Sequence, residues 1–283
     1  MRTSAEMFTL FEKITHSSDK IRVMTLEGSR VNSNVVPDIW QDYDITFLVT
    51  DVDGFKQSDE WLKVFGDIVF MQKPEAMDLF SPDLFEGWYS YLMLFSDGIK
   101  IDLTLVPITD IDRYFKQDPL IKVLIDKDGI CPQSLYPSDE TFWIQKPSFA
   151  FIRDCANEFF FVCTYVAKGL LREEILFANW HFEQILRVEL NRMLGYLAGV
   201  RYGFPLNTGK HNKWPLRFLT KDECIDVLKT YRLESIEICW ESLEIAMRLF
   251  DKAMKEVCNY FNYNDSDDFI RVKNYIETLK TLK

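Results

Sequence analysis

Apolar residues in the first half of the chain follow two different periods. Behind Thr3 an apolar stripe at helical spacing predicts a helix, formed by Met7, Phe8, Leu10, Phe11 and Ile14. Alternation with a period of two predicts strands, which we place at residues 21–27, 42–49, 68–71, 89–95 and 99–106. Residues 96–98, Ser-Asp-Gly, favour a hairpin turn between the last two strands. With a short helix expected at 59–65, helices and strands mix throughout this half.

From residue 148 onward the apolar spacing is helical almost throughout. Helices are predicted at residues 149–171, 173–197, 222–230, 233–261 and 268–279. Pro132, Pro137 and Pro147 cluster just before this change of pattern. We therefore expect an α+β fold, with a mixed sheet in a domain at residues 1–146 and a C-terminal α-helical bundle domain at residues 147–283.

The overall charge argues against some partners and favours others. The chain has 283 residues, a net charge of −11 and 15% aromatic residues, with 47% hydrophobic residues, as expected of a folded protein. Nucleic acid is not expected as a partner, because phosphate contacts require a basic surface. The negative field favours cationic small molecules, although it is equally typical of a protein that is merely kept soluble.

Neither a membrane span nor a secretory signal is expected. The N-terminus lacks the apolar core of a signal peptide, and the longest uncharged apolar run, residues 159–167, is too short to cross a bilayer. The six cysteines form no Cys-x-x-Cys pair and the chain has only three histidines, so free thiols are expected rather than a metal cluster. These features favour a cytoplasmic protein. The sequence leaves the oligomeric state open, with a monomer slightly favoured.

The candidate chemistry lies in three aspartates on predicted strands. Asp42 and Asp44 occupy alternate positions, so their side chains should point to one face of the sheet. Asp102 lies on the returning arm of the predicted hairpin. Carboxylates placed so close together repel each other unless a cation lies between them, and Mg²⁺ is the hard cation that also holds substrate phosphates. An Asp-x-Asp motif on its own, however, is often only a solvated turn.

A glycine-serine turn strengthens the interpretation. Gly28 and Ser29 are followed by twelve residues and then by Asp42. Glycine permits a tight turn where a phosphate approaches the backbone, and the serine hydroxyl can donate to a triphosphate oxygen. This pattern resembles that of the nucleotidyltransferase superfamily, so the N-terminal domain is expected to be polymerase-β-like.

Further blocks are similar to the aminoglycoside 6-adenylyltransferases that inactivate streptomycin. The similarity runs from residue 1 to about residue 255 and is carried by residues 27–32 (EGSRVN), 41–45 (QDYDI), 71–75 (MQKPE), 101–107 (IDLTLVP), 124–128 (LIDKD), 165–170 (YVAKGL) and 174–178 (EILFA). This resemblance implies an enzyme that transfers AMP from Mg-ATP to a streptomycin hydroxyl, most simply the 6-hydroxyl, releases pyrophosphate and confers resistance.

The resemblance also suggests roles for individual residues. Asp42 and Asp44 would hold the metal ions, and Asp102 would either complete the metal ligands or accept the proton of the attacking hydroxyl, the role we favour. Cations should meet the triphosphate, and the candidates are Arg30, Lys168, Lys210 and Lys213, with Gly28 and Ser29 as further nucleotide-binding residues. Without the resemblance, Arg30 would be read as a surface ion pair, Lys168 as a packed helix lysine, and the last two lysines as a solvated loop.

Two segments depart from the family pattern and leave alternatives open. Residues 262–268 lack the Pro-Asp-Tyr-Asp-Glu run of close relatives, and residues 205–208 replace a more serine-rich run. Both lie in the helical domain that should shape the acceptor site. A nucleotidyltransferase with another small-molecule or protein acceptor is therefore the first alternative. A non-catalytic nucleotide-binding protein or toxin-antitoxin partner is the second.

Overall fold

The chain folds into two compact units in a computed structural model. The structure describes residues 1–210, 213–264 and 267–282; His211 and Asn212, which belong to the predicted phosphate-binding block, lie outside the described residues. One unit comprises residues 1–141 and the other residues 142–283. This division falls within the proline-bearing stretch at 132–147. The assignment of catalysis to one unit and of acceptor binding to the other stays a prediction.

A six-stranded mixed sheet forms the centre of the N-terminal unit. Its strands are β1 (Ile21–Glu27), β2 (Tyr43–Val49), β3 (Ile68–Gln72), β4 (Tyr89–Phe95), β5 (Lys100–Pro107) and β6 (Ile121–Asp126). The order across the sheet is β3-β4-β5-β2-β1-β6. The β2–β5 pair is parallel, whereas the other neighbouring pairs are antiparallel. The predicted mixed sheet and the hairpin that carries Asp102 are confirmed.

Helices cover both faces of this sheet. They are α1 (Ser4–Ser17), α2 (Val52–Lys56) and α3 (Ile111–Gln117). Met7 and Phe11 of α1 pack with Tyr43 and Ile45 of β2 in one core. Tyr114 of α3 packs in a second core, which uses the residues of alternate parity on the strands. The sheet is therefore buried on both sides.

Several local predictions for this unit need correction. The predicted helix at 59–65 is a tight 3-10 segment, Glu60–Phe65, and helices α2 and α3 and strand β6 were not predicted from periodicity. Helix α2 spans only five residues, too few for a helical period to be visible, and it begins where the Asp51 side chain accepts a hydrogen bond from the Gly54 amide. Asp42, predicted inside a strand, immediately precedes β2.

The C-terminal unit is a helical bundle, as predicted. Its helices include α4 (Phe149–Leu171), α5 (Ile175–His181), α6 (Arg187–Tyr202), α7 (Lys221–Lys229), α8 (Ile236–Phe261) and α9 (Asp268–Thr281). Phe159 of α4 stacks on Phe250 of α8 with ring centres 3.9 Å apart in the middle of the core. A short antiparallel pair joins β7 (Trp143–Ile144) to β8 (Leu206–Asn207). None of the described helices is long and apolar enough to cross a membrane.

The single helix predicted at 173–197 is in fact two helices. A wider π turn at Phe182–Leu186 separates α5 from α6, and Glu173 before α5 has a positive φ of 62°. Helix α5 packs tightly on α4, since a Cβ on Gly169 would lie 3.0 Å from the Phe177 ring. The apolar period does not reveal this break, because both helices bury an apolar face.

Candidate active site

The parallel pairing of β2 with β5 brings the predicted aspartates together. Asp44 is paired directly with Asp102, and Tyr43 with Ile101. Continuing the register places Asp42 opposite Lys100, and their side chains are indeed in contact. Because alternate residues share a face, these four side chains form a square on one side of the sheet. The face behind it is apolar, since Tyr43 and Ile101 are fully buried there.

One ammonium group lies between two of the three carboxylates. Lys100 Nζ donates to Asp42 Oδ2 at 2.8 Å and to Asp102 Oδ2 at 2.7 Å. The other oxygen of Asp102, Oδ1, is buried and has no hydrogen-bond partner among the described residues. Burial, followed by repulsion from Asp102, Glu27 and Asp42, raises the pKa of Asp44 to about 6. The square therefore carries more negative charge than its single lysine balances.

The Gly28 turn presses directly on Asp44. Gly28 has a positive φ of 68°, which residues with a side chain rarely adopt, and a Cβ at this position would lie 2.1 Å from Asp44 Oδ2. The carbonyl of Ser29 accepts a hydrogen bond from the Gln41 side chain at 3.0 Å, which ties the turn to the segment before Asp42. Backbone geometry and close approach both require glycine here. The predicted turn and the aspartates thus belong to one site.

Arg30 also reaches this site, but two of its donors bind backbone carbonyls, and Nη1 donates to the Ser4 hydroxyl oxygen at 3.3 Å. Its Nε donates to the Asp42 carbonyl at 2.8 Å and its Nη2 to the Gln41 carbonyl at 2.7 Å. The guanidinium carbon lies 3.7 Å from the centre of the Tyr43 ring. Arg30 therefore holds the entry to β2 in place, a contact that the surface ion-pair interpretation did not anticipate.

Sequence reasoning missed two further charged residues of the site, Lys100 and Glu27. The Glu27 carboxylate accepts hydrogen bonds at 2.5 Å from the Thr46 hydroxyl and from the Tyr114 phenol. Burial raises the pKa of Glu27 despite these hydrogen bonds. Both residues carried a signal in the sequence, since Glu27 directly precedes Gly28 and Lys100 shares a strand face with Asp102.

The three predicted lysines belong to the C-terminal unit, where each can be described. Lys168 is half-buried on α4, with Nζ 5.9 Å from the centre of the Tyr275 ring on α9. Lys210 and Lys213 are exposed in the segment after β8, and Lys213 Nζ lies 5.0 Å from the centre of the Trp214 ring. Their contacts within this unit leave the proposed nucleotide-binding roles as predictions.

The donor set suits a hard divalent cation, although it is not preformed. No group of three or more His, Cys, Asp or Glu side chains in the described part of the chain is ready to hold a metal ion. Lys100 engages two of the three carboxylates of the square. Nevertheless, the unpartnered Oδ1 of Asp102 and the raised pKa of Asp44 show that the site has capacity for another positive charge. The oxygen donors present are therefore of the kind that Mg²⁺ prefers.

Known proteins with a similar sequence are adenylyltransferases. The family described as Streptomycin adenylyltransferase matches residues 1–279. An aminoglycoside 6-adenylyltransferase of Bacillus subtilis is 43% identical over 273 residues, covering 95% of this chain and 96% of that protein. One from Staphylococcus aureus is 41% identical over 277 residues, covering 98% of each. The crystal structure of an aminoglycoside 6-adenyltransferase from Bacillus subtilis is 38% identical, with 99% of both chains covered and a TM-score of 0.49.

Proposed function

Because the chain belongs to the streptomycin adenylyltransferase family and is therefore an enzyme, we propose that it transfers AMP from ATP to a hydroxyl of an aminoglycoside and releases pyrophosphate. The proposed acceptor is streptomycin, at its 6-hydroxyl, and the proposed metal is Mg²⁺. ATP as the AMP donor and a cytoplasmic location are both part of this proposal. The acidic net charge of −11 suits a cationic acceptor.

The observation that carries this proposal is the square of side chains beside the Gly28 turn. Asp44 and Asp102 are direct neighbours across the parallel pair, and the Asp42 and Asp102 carboxylates share one ammonium at 2.8 and 2.7 Å. Adenylyl transfer requires such a concentration of negative oxygens to hold the metal form of a nucleotide. A purely structural sheet would gain nothing from carboxylates that repel each other.

Asp42, Asp44 and Asp102 would hold Mg²⁺ in the proposed enzyme. Bound there, Mg²⁺ would compensate the charge that develops on the attacking and leaving oxygens. The protein must also position an acceptor hydroxyl in line with the α-phosphorus of ATP. As the new oxygen–phosphorus bond forms, the bond to the β-phosphate breaks and pyrophosphate leaves with the electron pair.

Asp102 is the proposed general base. Its Oδ1 has no hydrogen-bond partner among the described residues, so this oxygen keeps an unused capacity to accept a proton. In the metal-free protein its Oδ2 accepts a hydrogen bond from Lys100 at 2.7 Å.

The remaining predicted residues would position the nucleotide. Gly28 brings the backbone close to Asp44, so the amide and hydroxyl of Ser29 can approach a triphosphate oxygen. Lys168, Lys210 and Lys213 are proposed to neutralise the triphosphate. For Arg30 the carbonyl contacts favour support of the Asp42 backbone over direct phosphate binding.

The test is pyrophosphate release by the purified protein with Mg-ATP, with and without streptomycin, followed by mass spectrometry of the antibiotic. Streptomycin-dependent release with one added AMP mass is expected. Asp102→Asn serves as the control for contaminating activity and should lower turnover at least ~100-fold, the scale of losing a positioned base. Release with another hydroxyl compound would keep the chemistry and change the acceptor, whereas folded protein that releases nothing with any acceptor would refute the proposed activity.

A further inference from the structure

The ammonium of Lys100 lies where a cation shared by the carboxylates is expected. Its Nζ is 2.8 Å from Asp42 Oδ2 and 2.7 Å from Asp102 Oδ2. The side chains of all three residues are between 26% and 40% exposed, so the contact is open to solvent and to ions on one side. Lys100 is also anchored on β5 directly before the residue that pairs with Tyr43, which fixes the origin of its side chain.

We propose that Lys100 is a resident counter-ion of the carboxylate square: it holds Asp42 and Asp102 together in the metal-free protein and releases them when a divalent cation binds. This inference rests on the proposed function, since it concerns the metal ligands of that site. It assigns to Lys100 a positioning role that competes with the metal.

Electrostatics explains why such a residue is needed. Asp44 and Asp102 are direct neighbours across two strands and Asp42 lies on the same face, so the three carboxylates repel each other in the absence of a cation. The lysine supplies one positive charge and three donors on a flexible stem. It therefore keeps the ligands within reach of one another at a modest cost, and its stem allows it to move away.

The same geometry makes the lysine and a metal ion mutually exclusive at the shared oxygens. An ammonium has no acceptor to offer and repels a divalent cation bound within a few ångströms. It also occupies one oxygen of each of these two aspartates, Oδ2. Asp42 and Asp102 would therefore have to give up their contacts with Lys100 to hold a divalent cation, and the loss of these contacts would lower the affinity of the protein for the metal.

Lys100→Met tests the exchange directly, because methionine preserves most of the stem without the charge. Mn²⁺ binding is measured by isothermal titration calorimetry without nucleotide, and thermal unfolding is measured in EDTA and at saturating Mn²⁺. The matched control is Lys122→Met, which removes an exposed lysine from edge strand β6 of the same sheet. We expect Lys100→Met to bind Mn²⁺ about tenfold more tightly than wild type, equivalent to the loss of about one competing charge-assisted hydrogen bond.

The unfolding temperatures should change in a matching way. In EDTA, Lys100→Met should unfold at a lower temperature than wild type, and Mn²⁺ should narrow this gap. Binding of Mn²⁺ by Lys100→Met that is equal to or weaker than that of wild type would overturn the exchange. So would a variant that binds ATP more weakly than wild type while its affinity for Mn²⁺ is unchanged. If neither wild type nor variant binds Mn²⁺, the metal site of the proposed function fails and the exchange fails with it, a result distinct from the first.

A measurement on the wild-type protein decides the question if the variant does not fold. Acetylation of Lys100 by a small anhydride is followed by mass spectrometry with and without Mn²⁺. Labelling that rises when Mn²⁺ is added supports release of the lysine. Labelling that stays the same, while Mn²⁺ binds, overturns it.

Discussion

Replacing Asp44 by asparagine should stabilise the metal-free protein while abolishing its turnover. The Asp44 carboxylate is half-buried and repelled by Asp102, Glu27 and Asp42, and burial is the larger of these effects on its pKa. Asparagine has nearly the same shape but carries no charge. It removes the repulsion and, with it, a carboxylate that the proposed reaction requires.

The magnitude follows from the pKa of Asp44. The unfolded chain ionises this carboxyl near 3.8, whereas the folded protein retains the proton until pH about 6. Wild type therefore loses stability as pH rises from about 4 to about 6, because the unfolded state releases its proton first. The complete loss is about 3 kcal/mol, at about 1.4 kcal/mol per pKa unit. Above pH about 7, Asp44→Asn should thus be more stable than wild type by up to about 3 kcal/mol, and by about half of that at pH 5.

Urea unfolding followed by circular dichroism, in EDTA at several pH values, measures this difference. Asp97→Asn is the matched control of opposite sign. The Arg2 guanidinium holds the pKa of Asp97 well below its usual range, so its charge stabilises the fold above the unfolded pKa near 3.8, and this contribution is lost as pH falls through the folded pKa. Asp97→Asn should therefore destabilise at neutral pH.

Two results would refute the reasoning about Asp44. One is a variant that is no more stable than wild type at pH 8 in EDTA. The other is a stabilisation of the same size at pH 5 and pH 8, which would show that packing rather than charge is responsible. Saturating Mg²⁺ should stabilise wild type more than Asp44→Asn, since only the aspartate carboxylate can serve as a ligand of the metal.

Three other substitutions separate the proposed roles. Gly28→Ala should lower turnover about 100-fold, since the new Cβ would meet Asp44 at 2.1 Å; Gly129→Ala, with a similar φ of 66° and open space around it, should leave turnover unchanged. Arg30→Lys keeps the charge but loses the fork that grips two carbonyls, so steady-state kinetics should show a lower kcat with little change in the KM for ATP. A change in the KM for ATP alone would instead support direct binding of the triphosphate by Arg30. Lys168→Ala should raise the KM for ATP at similar stability, whereas an unchanged KM would mark it as a packing lysine.

Arg30 and Lys100 illustrate the limit of motif reasoning. The sequence makes Arg30 a candidate because it follows the Gly28 turn, and the structure does place it at the site. Its partners, however, are backbone carbonyls twelve and eleven residues away along the chain. Lys100 belongs to no motif, although it lies on the same strand face as Asp102. A motif indicates which residues are near each other in the sequence, but not which charged or polar groups they contact in the folded protein.

By itself, the sequence determined most of the local elements and indicated the candidate chemistry. Alternation with a period of two placed Asp42 and Asp44 on one face, and the turn at Gly98 joined β4 to the strand that carries Asp102. These features depend on residues a few positions apart, whose backbone preferences act locally. The family resemblance indicated the expected reaction, because the order of the motifs along the chain can be read from the sequence alone.

Only the tertiary structure decided how the site is assembled. The parallel pairing of β2 with β5 joins segments almost 60 residues apart, and it sets Asp44 beside Asp102 and Asp42 beside Lys100. Insertion of β2 between β5 and β1 also brings Glu27 close enough to raise the pKa of Asp44. Such neighbours are chosen by the burial of both sheet faces as a whole, which no local period records. The charge balance of the site is therefore a property of the sheet.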